Sequence, residues 1–516
     1  MEQVNNSTEQ AGATARAVCI HIAKEMSELV KHTLGPMGLD NMLVDGMKDS
    51  VITNDGATIV KESAIDHPVA KVIMEVARTQ EENCYDGTTS SIILTGELMD
   101  QASSLLKKKI HPSKIAMGYQ LAAVKAEEVL LDMGLEVDDE VLQLVAETAM
   151  TGKSAETDKE HLAAICVDVA QATDLSNINI VSRAGGRISD SVAIAGILVD
   201  REKCHHDMPD TVEDAKIALV NVDISLPEFA KAINVQVQDN QAVQEFIESR
   251  KQQLADIATG IIKTGTTAVF CMRDIDPFVQ EYFAKHGIYA ARRVAKSDLE
   301  SLSMSTGARI VSNLDNLTKK DLGSVGLLEE VSVNDKPLIK VTGTKSSKSV
   351  SVLLRAPTQH VVDEVARAFD DAVGVVSVAL EDNKVLPGGG APYMALANAL
   401  RAYALSVGGR QQLAIESFAK ALEVIPTTLA QNSGNDSIDT MVALRHAHNE
   451  EDGWKYGVNV NTGGSSDMLE ERVVEPKRVV AQAIRSSADT ASQLIRIEKI
   501  LSAKKSAEFG DDGFDY

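Results

Sequence analysis

Apolar positions recur every three or four residues through the first and last parts of the chain, which is the spacing of helices that bury one face. In residues 11–34, Val18, Ile22 and Met26 share such a face, and Gly35 ends the run. The same pattern predicts further helices over residues 67–84, 88–131, 139–149, 360–382, 391–405, 410–431 and 474–502. Both ends of the chain are therefore predicted to be mainly helical.

The middle of the chain has a different pattern, in which short apolar runs alternate with helical stretches. The runs predict strands at residues 178–181, 217–220, 268–271 and 308–311, and the helical stretches lie at residues 240–262, 276–286 and 296–305. This alternation favours an α/β domain with some parallel strand pairing. The order is thus helical, α/β, helical, and we interpret the two helical ends as parts of one domain that the middle interrupts.

Three shorter segments add detail. Near the start, an apolar strand over residues 50–53 is followed by a predicted turn at residues 54–56. In the middle, alternating apolar residues at 233–237 precede an apolar helical stripe at residues 243–257. Such a stripe is typical of a surface helix packed on its own domain, and the alternative is a face offered to a partner or client protein. Residues 503–516 are typical of a frayed acidic tail.

Composition excludes several classes of function. The 516 residues correspond to about three domains at roughly 150 residues each. Asp and Glu outnumber Lys and Arg by 75 to 51, so the net charge is −24, which disfavours binding to a nucleic-acid backbone. No apolar stretch approaches the ~20 residues of a membrane span, and the N-terminus lacks the pattern of a signal peptide. We therefore expect neither nucleic acid nor membrane as a partner.

The five cysteines lie far apart in the sequence, their number is odd, and no Cys-x-x-Cys motif occurs. This usage argues against a disulfide framework or a structural zinc site, and it favours a reducing, cytoplasmic location. Cys-His-His-Asp at residues 204–207 places metal-binding residue types side by side. Because neighbouring residues rarely converge on one ion, we do not predict a metal site there.

The candidate chemistry lies in a repeated Asp-Gly-x-Thr pattern, which occurs at residues 55–58 and 86–89. A carboxylate followed by glycine and hydroxyl residues at a helix start suits a magnesium–phosphate site, because the carboxylate takes the metal and free N–H groups meet phosphate oxygens. Glycine-rich turns at residues 34–38 and 387–390 are placed to close such a site. Each Asp-Gly pair alone is typical of a plain turn, but the order of all four segments favours one combined site.

These motifs, taken in order, closely resemble group II chaperonins of the archaeal thermosome type. The resemblance runs from about residue 12 to residue 502. The matching stretches are Thr-Leu-Gly-Pro (33–36), Met-Leu-Val-Asp (42–45), Thr-Asn-Asp-Gly-Ala-Thr-Ile (53–59), Asp-His-Pro (66–68), Asp-Gly-Thr-Thr (86–89), Thr-Gly-Glu-Leu (95–98), Ala-Arg-Arg-Val (291–294), His-Val-Val-Asp-Glu (360–364), Gly-Gly-Gly-Ala-Pro (388–392) and Val-Glu-Pro (474–476).

The resemblance implies a multidomain α and α/β fold with three domains. A helical equatorial ATPase domain is expected from residues 1–140 and 391–516, and a small α/β intermediate hinge domain from residues 141–206 and 357–390. Residues 207–356 are expected to form an α/β apical domain that binds clients, with the 222–257 segment on its helical lid protrusion. Such subunits assemble with copies of themselves or with paralogues into a double ring that encloses unfolded or nascent proteins.

The resemblance also implies an ATP and Mg²⁺ site. Asp86 matches the magnesium ligand, and Asp55 and Asp371 match the two carboxylates that orient and activate the attacking water. Asp371 lies in a hinge segment, so closure of the hinge is expected to complete the site. The residues matched to contacts with the nucleotide are Leu34, Gly35, Pro36, Gly87, Thr88, Thr89, Ser90, Lys153, Gly388 and Gly389, with Glu475 on the ribose.

Four positions beside this site depart from the family pattern. Met37 and Val480 stand where lysine is usual, Tyr85 replaces glycine, and Tyr393 replaces glutamate. The principal interpretation is an ATP-dependent folding chaperonin subunit with ATP hydrolase activity. The departures keep open a structural subunit with weak or no ATPase activity in a mixed ring. A third interpretation is an unrelated metal or nucleotide enzyme.

Overall fold

The computed structural model describes residues 7–44, 50–63, 65, 67–153, 156–226, 240–334, 336–344 and 349–503. The chain forms two compact units. Unit 1 comprises Met1–Glu156 and Gly374–Tyr516, and unit 2 comprises Thr157–Val373. Unit 1 therefore combines the two helical ends of the chain. The predicted alternation at residues 233–237 and the acidic tail beyond residue 503 lie outside the described residues, and the three predicted domains stay a prediction.

Helices dominate the described part of the chain. They are α1 (Ala13–Lys31), α2 (Gly56–Glu62), α3 (Pro68–Cys84), α4 (Thr88–Lys107), α5 (Pro112–Asp132), α6 (Asp139–Met150), α7 (Lys159–Ala172), α8 (Asn240–Lys263), α9 (Pro277–Lys285), α10 (Lys296–Thr306), α11 (Gln359–Asp382), α12 (Ala391–Val407), α13 (Gly409–Leu422), α14 (Val424–Asn432), α15 (Ser437–Ala447) and α16 (Lys477–Ile495). Within the described ranges, every helix is too short or too polar to span a bilayer.

The strands are mostly short. They are β1 (Ser7–Ala11), β2 (Asn41–Val44), β3 (Ser50–Thr53), β4 (Ile178–Ala184), β5 (Val192–Ala195), β6 (Ile197–Val199), β7 (Thr211–Val220), β8 (Ala268–Cys271), β9 (Tyr289–Ala291), β10 (Ile310–Val311), β11 (Gly323–Val333), β12 (Lys336–Thr344), β13 (Val350–Ala356), β14 (Val385–Pro387), β15 (Tyr456–Val458), β16 (Ser465–Asp467), β17 (Val474–Pro476) and β18 (Lys499–Ala503).

Unit 1 is a helical bundle with a large apolar core. Helix α1 packs on α4, α16 packs on α4 and α5, and α13 packs on α5. In the core the rings of Tyr119 and Phe418 meet edge to face with 5.5 Å between centroids, and the Tyr119 hydroxyl donates a hydrogen bond to the Leu98 carbonyl. These contacts join helices α4, α5 and α13. The described residues of the unit also form four two-stranded sheets, namely β1–β18, β2–β3, β14–β17 and β15–β16.

Unit 2 contains the predicted α/β arrangement. Its larger sheet has the strand order β6-β12-β11-β7-β8-β9, with β10 beside β7, and a smaller sheet has the order β4-β13-β5. Strands β7, β8 and β9 pair in parallel, as do β10 and β7. Along β7, Ile217 and Leu219 enter one apolar core and Ala218 and Val220 enter another, so both faces of the sheet are covered. This confirms parallel pairing in the middle region.

Two of the predicted long helices are in fact pairs of helices. The predicted helix at residues 88–131 breaks between α4 and α5, where Lys109 has a left-handed backbone (φ 60°) and Pro112 begins the next helix. Proline is favoured at a helix start, so this signal was present in the sequence. The predicted helix at residues 410–431 breaks at Glu423. The buried carboxylate of Glu423 forms ion pairs with Arg401 and Arg445.

Other differences concern strands. The predicted helix at residues 474–502 begins and ends with strands, since β17 and β18 flank α16. The predicted turn at residues 54–56 is the start of helix α2, which was not predicted. Strands β11, β12 and β13 were also missed. Their pairing with one another and with β4, β5 and β7 stabilises them, and such long-range contacts leave no local pattern.

Helix α4 touches α1 at a glycine, which makes a direct test of this packing. A side-chain carbon at Gly96 would collide with the Ser27 side chain and lie 2.8 Å from the Ala23 carbonyl oxygen. We expect Gly96→Ala to lower the free energy of unfolding by about 1–3 kcal/mol in chemical denaturation, because the two helices must separate.

The matched control is Gly260→Ala. Gly260 lies in helix α8 with nothing within 4 Å of an added methyl group, so its replacement should leave stability unchanged or raise it by about 0.4–1 kcal/mol. Equal effects of the two substitutions would contradict the proposed close contact between α1 and α4.

Candidate functional site

The two Asp-Gly-x-Thr segments meet at the starts of helices α2 and α4. The Asp55 carboxylate caps α2 by accepting hydrogen bonds from the N–H groups of Ala57 (3.4 Å) and Thr58 (2.7 Å). The Thr88 hydroxyl, in the first turn of α4, donates to the same carboxylate at 3.3 Å. Asp55 is thereby held in one orientation, directly beside the second segment.

Close backbone packing fixes this meeting point. A Cβ atom on Gly56 would lie 2.6 Å from the Thr89 hydroxyl oxygen and 3.0 Å from the Thr89 Cα. No side chain fits at this distance, so position 56 requires glycine. The first turns of α2 and α4 are therefore in direct contact.

The start of helix α4 has the features of an anion site. Gly87 precedes the helix with a left-handed backbone (φ 79°), and no side chain caps the first turn. Among the described residues, no side chain caps the leading N–H groups of this 20-residue helix, and its first three residues, Thr88, Thr89 and Ser90, carry hydroxyl groups. Free N–H groups and the positive end of the helix dipole favour a phosphate at such a position.

The loop before α4 holds Asp86 at the surface. Its carboxylate is exposed and accepts a hydrogen bond from the Gly87 N–H at 2.7 Å. Gln80, fully buried on α3, donates its side-chain N–H to the carbonyls of Asp86 (2.9 Å) and Val479 (3.1 Å). The role of Gln80 was not predicted, because a glutamine within an amphipathic helix carries no sequence signal of such a role.

The glycine turn after strand β14 is packed as closely as Gly56 is against Thr89. A Cβ atom on Gly388 would lie 2.6 Å from Val473 Cγ1, and one on Gly389 would lie 2.5 Å from the Met468 sulfur. Gly389 also has a left-handed backbone (φ 61°). Helix α12 follows at once, and its first turn likewise has no side-chain cap. This turn therefore presents bare backbone beside a second helix start.

Tyr393 and Glu475 connect this turn to helix α4. Tyr393 lies beside the Ser90 side chain and is only 2% exposed. Burial raises the pKa of Tyr393. Glu475 lies on β17 opposite Leu386 of β14, and burial together with the nearby charge of Asp86 raises its pKa to about 8. The starts of α4 and α12 and the strand pair β14–β17 thus surround one polar region.

The loop at residues 34–38 reaches the same region through Gly152. A Cβ atom on Gly152 would lie 2.9 Å from the Pro36 Cα, and the Asn54 side chain donates to the Gly152 carbonyl at 3.4 Å. Gly35 has a left-handed backbone (φ 83°) and packs on Leu429. Leu34, Gly35, Pro36 and Lys153 are therefore next to the segment that contains Asp55.

The structure also places Asp371 and two of the positions that depart from the family pattern. Asp371 lies in helix α11 within unit 2, is partly exposed, and its role stays a prediction. Val480 is fully buried in the core of unit 1, where a lysine would leave its charge in apolar surroundings. Met37 is exposed at the surface.

The donor set of the site is made of hard oxygen ligands. The exposed Asp86 carboxylate, the Asp55 carboxylate and the hydroxyls that follow Asp86 are the groups that Mg²⁺ and phosphate-bound Mg²⁺ prefer. A chemically different group lies in unit 2, where ligand atoms of His205, His206 and Asp207 are within 4.8 Å of one another. Imidazole ligands favour transition metals over Mg²⁺, so this group does not compete for the same ion.

Comparisons with known proteins agree on one family. The family model described as "TCP-1/cpn60 chaperonin family" matches residues 26–505. The chain is 45% identical over 508 residues to a thermosome subunit of Methanopyrus kandleri, which covers 96% of this chain and 93% of that protein. It is also 45% identical over 523 residues to a thermosome subunit of Methanocaldococcus jannaschii, covering 99% and 96%.

A solved structure is similar as well. The open-state monomer of a group II chaperonin from Methanococcoides burtonii matches with a TM-score of 0.65 and 40% sequence identity, covering 80% of this chain and 100% of that one. The sequence similarity to these relatives extends over both units of the chain.

The raised pKa of Glu475 gives a testable pH dependence. Between its ordinary value of 4.5 and about 8, this carboxyl binds more protons in the folded than in the unfolded chain, so its contribution to the free energy of unfolding falls as the pH rises through that window. Glu475→Gln removes the titration. We expect the stability of the Gln variant relative to the wild type to rise from pH 5 to pH 8 in urea titrations.

Glu470→Gln is the matched control, because Glu470 is an exposed glutamate five residues away. Its removal takes away one negative charge without opening a buried position. A stability difference between Glu475→Gln and wild type that is constant from pH 5 to pH 8 would contradict a raised pKa at Glu475.

Proposed function

The chain belongs to the TCP-1/cpn60 chaperonin family as a group II, thermosome-type subunit, and on this premise we propose that it binds Mg·ATP at the site described above and hydrolyses it. The observation that carries the proposal is the meeting of the two Asp-Gly-x-Thr segments at the uncapped start of helix α4. This meeting joins an anion site, an exposed carboxylate and an oriented second carboxylate. Phosphoryl transfer uses these groups.

Each part of the nucleotide has residues suited to hold it. Asp86 is the proposed magnesium ligand, and the first turn of α4, with Thr88 and Thr89, is the proposed phosphate site. Bound magnesium would neutralise charge on the phosphates. The bare backbone at Gly388 and Gly389 allows a close approach of the nucleotide. Glu475, partly shielded beside this turn, is proposed to contact the ribose.

Hydrolysis requires that an attacking water be oriented and deprotonated. The Asp55 carboxylate is fixed by the α2 N–H groups and by Thr88, so it is prepared to hold a water in a defined direction. We assign the complementary role to Asp371 of helix α11. Phosphoryl transfer depends mainly on positioning and charge neutralisation, and two such carboxylates and a metal would contribute to both.

The alternative of a structural subunit without ATPase activity is not favoured. Val480 packs in the core, and Tyr393 is buried beside Ser90. Neither residue takes the place of Asp55 or Asp86. These departures from the family pattern therefore change the packing behind the site and leave its proposed carboxylates in position.

The family relationship supports wider proposals about partners. We propose that the chain assembles with copies of itself or with paralogues into a double ring, that its clients are unfolded or nascent proteins, and that it acts in the cytoplasm. Client binding is assigned to residues 207–356. These proposals rest on the thermosome relatives.

An exposed apolar hairpin supports the assembly. On the β2–β3 pair, Met42, Val44 and Ile52 are 65%, 62% and 54% exposed. The β1–β18 pair is likewise a two-stranded sheet within the described residues. Apolar patches and unpaired strand edges mark surfaces that associate with other chains. We propose that the β2–β3 hairpin and the β1–β18 strand pair contact neighbouring subunits in the ring.

The ATPase proposal is tested by phosphate release from Mg·ATP. We expect Asp371→Ala to lower kcat about 10²- to 10⁴-fold with little change in KM, because it removes a group that acts on the attacking water. Asp86→Ala should instead raise the Mg²⁺ concentration that gives half-maximal activity. The control for Asp371 is Asp370→Ala, which removes the neighbouring carboxylate of the same helix.

Two results would contradict these assignments. Equal turnover by Asp371→Ala and Asp370→Ala would remove Asp371 from the reaction. A well-folded wild-type assembly that releases no phosphate would overturn the proposed hydrolysis and restore the structural-subunit alternative.

The assembly proposal is tested by the mass of the purified full chain in light scattering. Wild type is expected at many times the 55.3 kDa of one chain, and the double variant Met42→Glu/Val44→Glu at the mass of one chain, because charges replace the apolar contact. Val192→Glu is the control, since Val192 is an exposed apolar strand residue of unit 2. An unchanged mass of the double variant would exclude this hairpin from the contact.

A further inference from the structure

Tyr85, the residue directly before Asp86, has an unusual backbone. It ends helix α3 with a left-handed conformation (φ 58°, ψ 5°), and its N–H donates to the Glu81 carbonyl at 2.9 Å. A bulky side chain is rarely found in this conformation, which glycine adopts freely. Position 85 therefore carries a tyrosine although its backbone conformation favours glycine. A contact made by the tyrosine side chain offsets this backbone cost.

That contact is with Gly374 of helix α11. A Cβ atom on Gly374 would collide with the Tyr85 ring, and its distance to the ring atom Cδ2 would be only 2.6 Å. Gly374 is buried in the interior of a 24-residue helix, a place where glycine is unfavourable. The left-handed tyrosine and the glycine inside a helix are each unfavourable alone. Together they fit, because the ring occupies the space that a side chain at position 374 would need.

The position of this contact relates it to the candidate site. Tyr85 adjoins Asp86, the proposed magnesium ligand, and Gly87, which begins the uncapped turn of α4. On the other side of the loop, Gln80 holds the Asp86 carbonyl. The loop is thus fixed at two points, by the Gln80 amide through its backbone and by the Tyr85 ring against helix α11.

We propose that Tyr85 is a positioning residue for nucleotide binding, and that its ring, seated on Gly374, fixes the loop that presents Asp86 to magnesium. This inference rests on the proposed Mg·ATP site and deepens it. Asp371 lies three residues before Gly374 in the same helix, so the ring contacts the helix that contains the second proposed catalytic carboxylate. The aromatic ring, rather than the hydroxyl, carries the effect.

The test is a double-mutant cycle on the full chain with Tyr85→Gly, Gly374→Ala and both together, and with Tyr85→Phe as the variant that keeps the ring. The dissociation constant for Mg·ATP and the Mg²⁺ concentration at half-saturation are measured beside the thermal unfolding midpoint. Gly374→Ala alone should displace the ring, weaken Mg·ATP binding at least about tenfold and lower the midpoint.

In the Tyr85→Gly background the same Gly374→Ala change should reverse its effect on stability. With the ring gone, alanine fits and strengthens the helix, so the unfolding midpoint should rise, and Mg·ATP binding should equal that of Tyr85→Gly alone. Tyr85→Gly should bind Mg·ATP more weakly than wild type, and Tyr85→Phe should match wild type in every measurement.

The outcomes separate this inference from the proposed function. A wild-type chain that binds no Mg·ATP overturns the proposed function and this inference with it. Wild-type binding with a Gly374→Ala effect that is the same in both backgrounds overturns this inference alone. So does a fall in the unfolding midpoint without any change in Mg²⁺ half-saturation, which is the result expected of packing without positioning.

Discussion

The candidate site depends on the contact between the first turns of helices α2 and α4. Gly56 approaches Thr89 so closely that no side chain fits between them, and Thr88 donates to the Asp55 cap across the same junction. The first N–H groups of a helix have no partner within the helix, and side chains, water or ligands satisfy them. Here Asp55 caps only α2, which leaves the start of α4 uncapped and open to an anion.

Rigidity is the common property of the loops around this junction. Gly56, Gly152, Gly388 and Gly389 each lie against atoms that a Cβ would strike, so these turns are packed rather than free. Glycine here gives close approach and not flexibility. A site built in this way is organised before any ligand arrives, which lowers the entropy lost on binding.

Sequence predicted the parts of this structure that have a local cause. Helical periodicity located most helices, and the Asp-Gly-x-Thr repeats located two carboxylates that the fold brings together. It failed where the cause is distant. Gln80 donates to the carbonyl of Val479, almost 400 positions away, and the ring of Tyr85 is accepted because of a glycine almost 300 positions away.

The pairing of strands β1 and β18 sets an order of events during biosynthesis. Ser7 pairs with Ala503, and helix α4 packs on α16, which is made almost 400 residues later. A ribosome therefore completes all of unit 2 before the second half of unit 1 exists. The faces of α4 and α5 that pack on α13 and α16 must therefore stay uncovered until the last quarter of translation. This chaperonin-family chain therefore exposes apolar surface of unit 1 during its own synthesis, and that surface is fully covered only after strand β18 emerges.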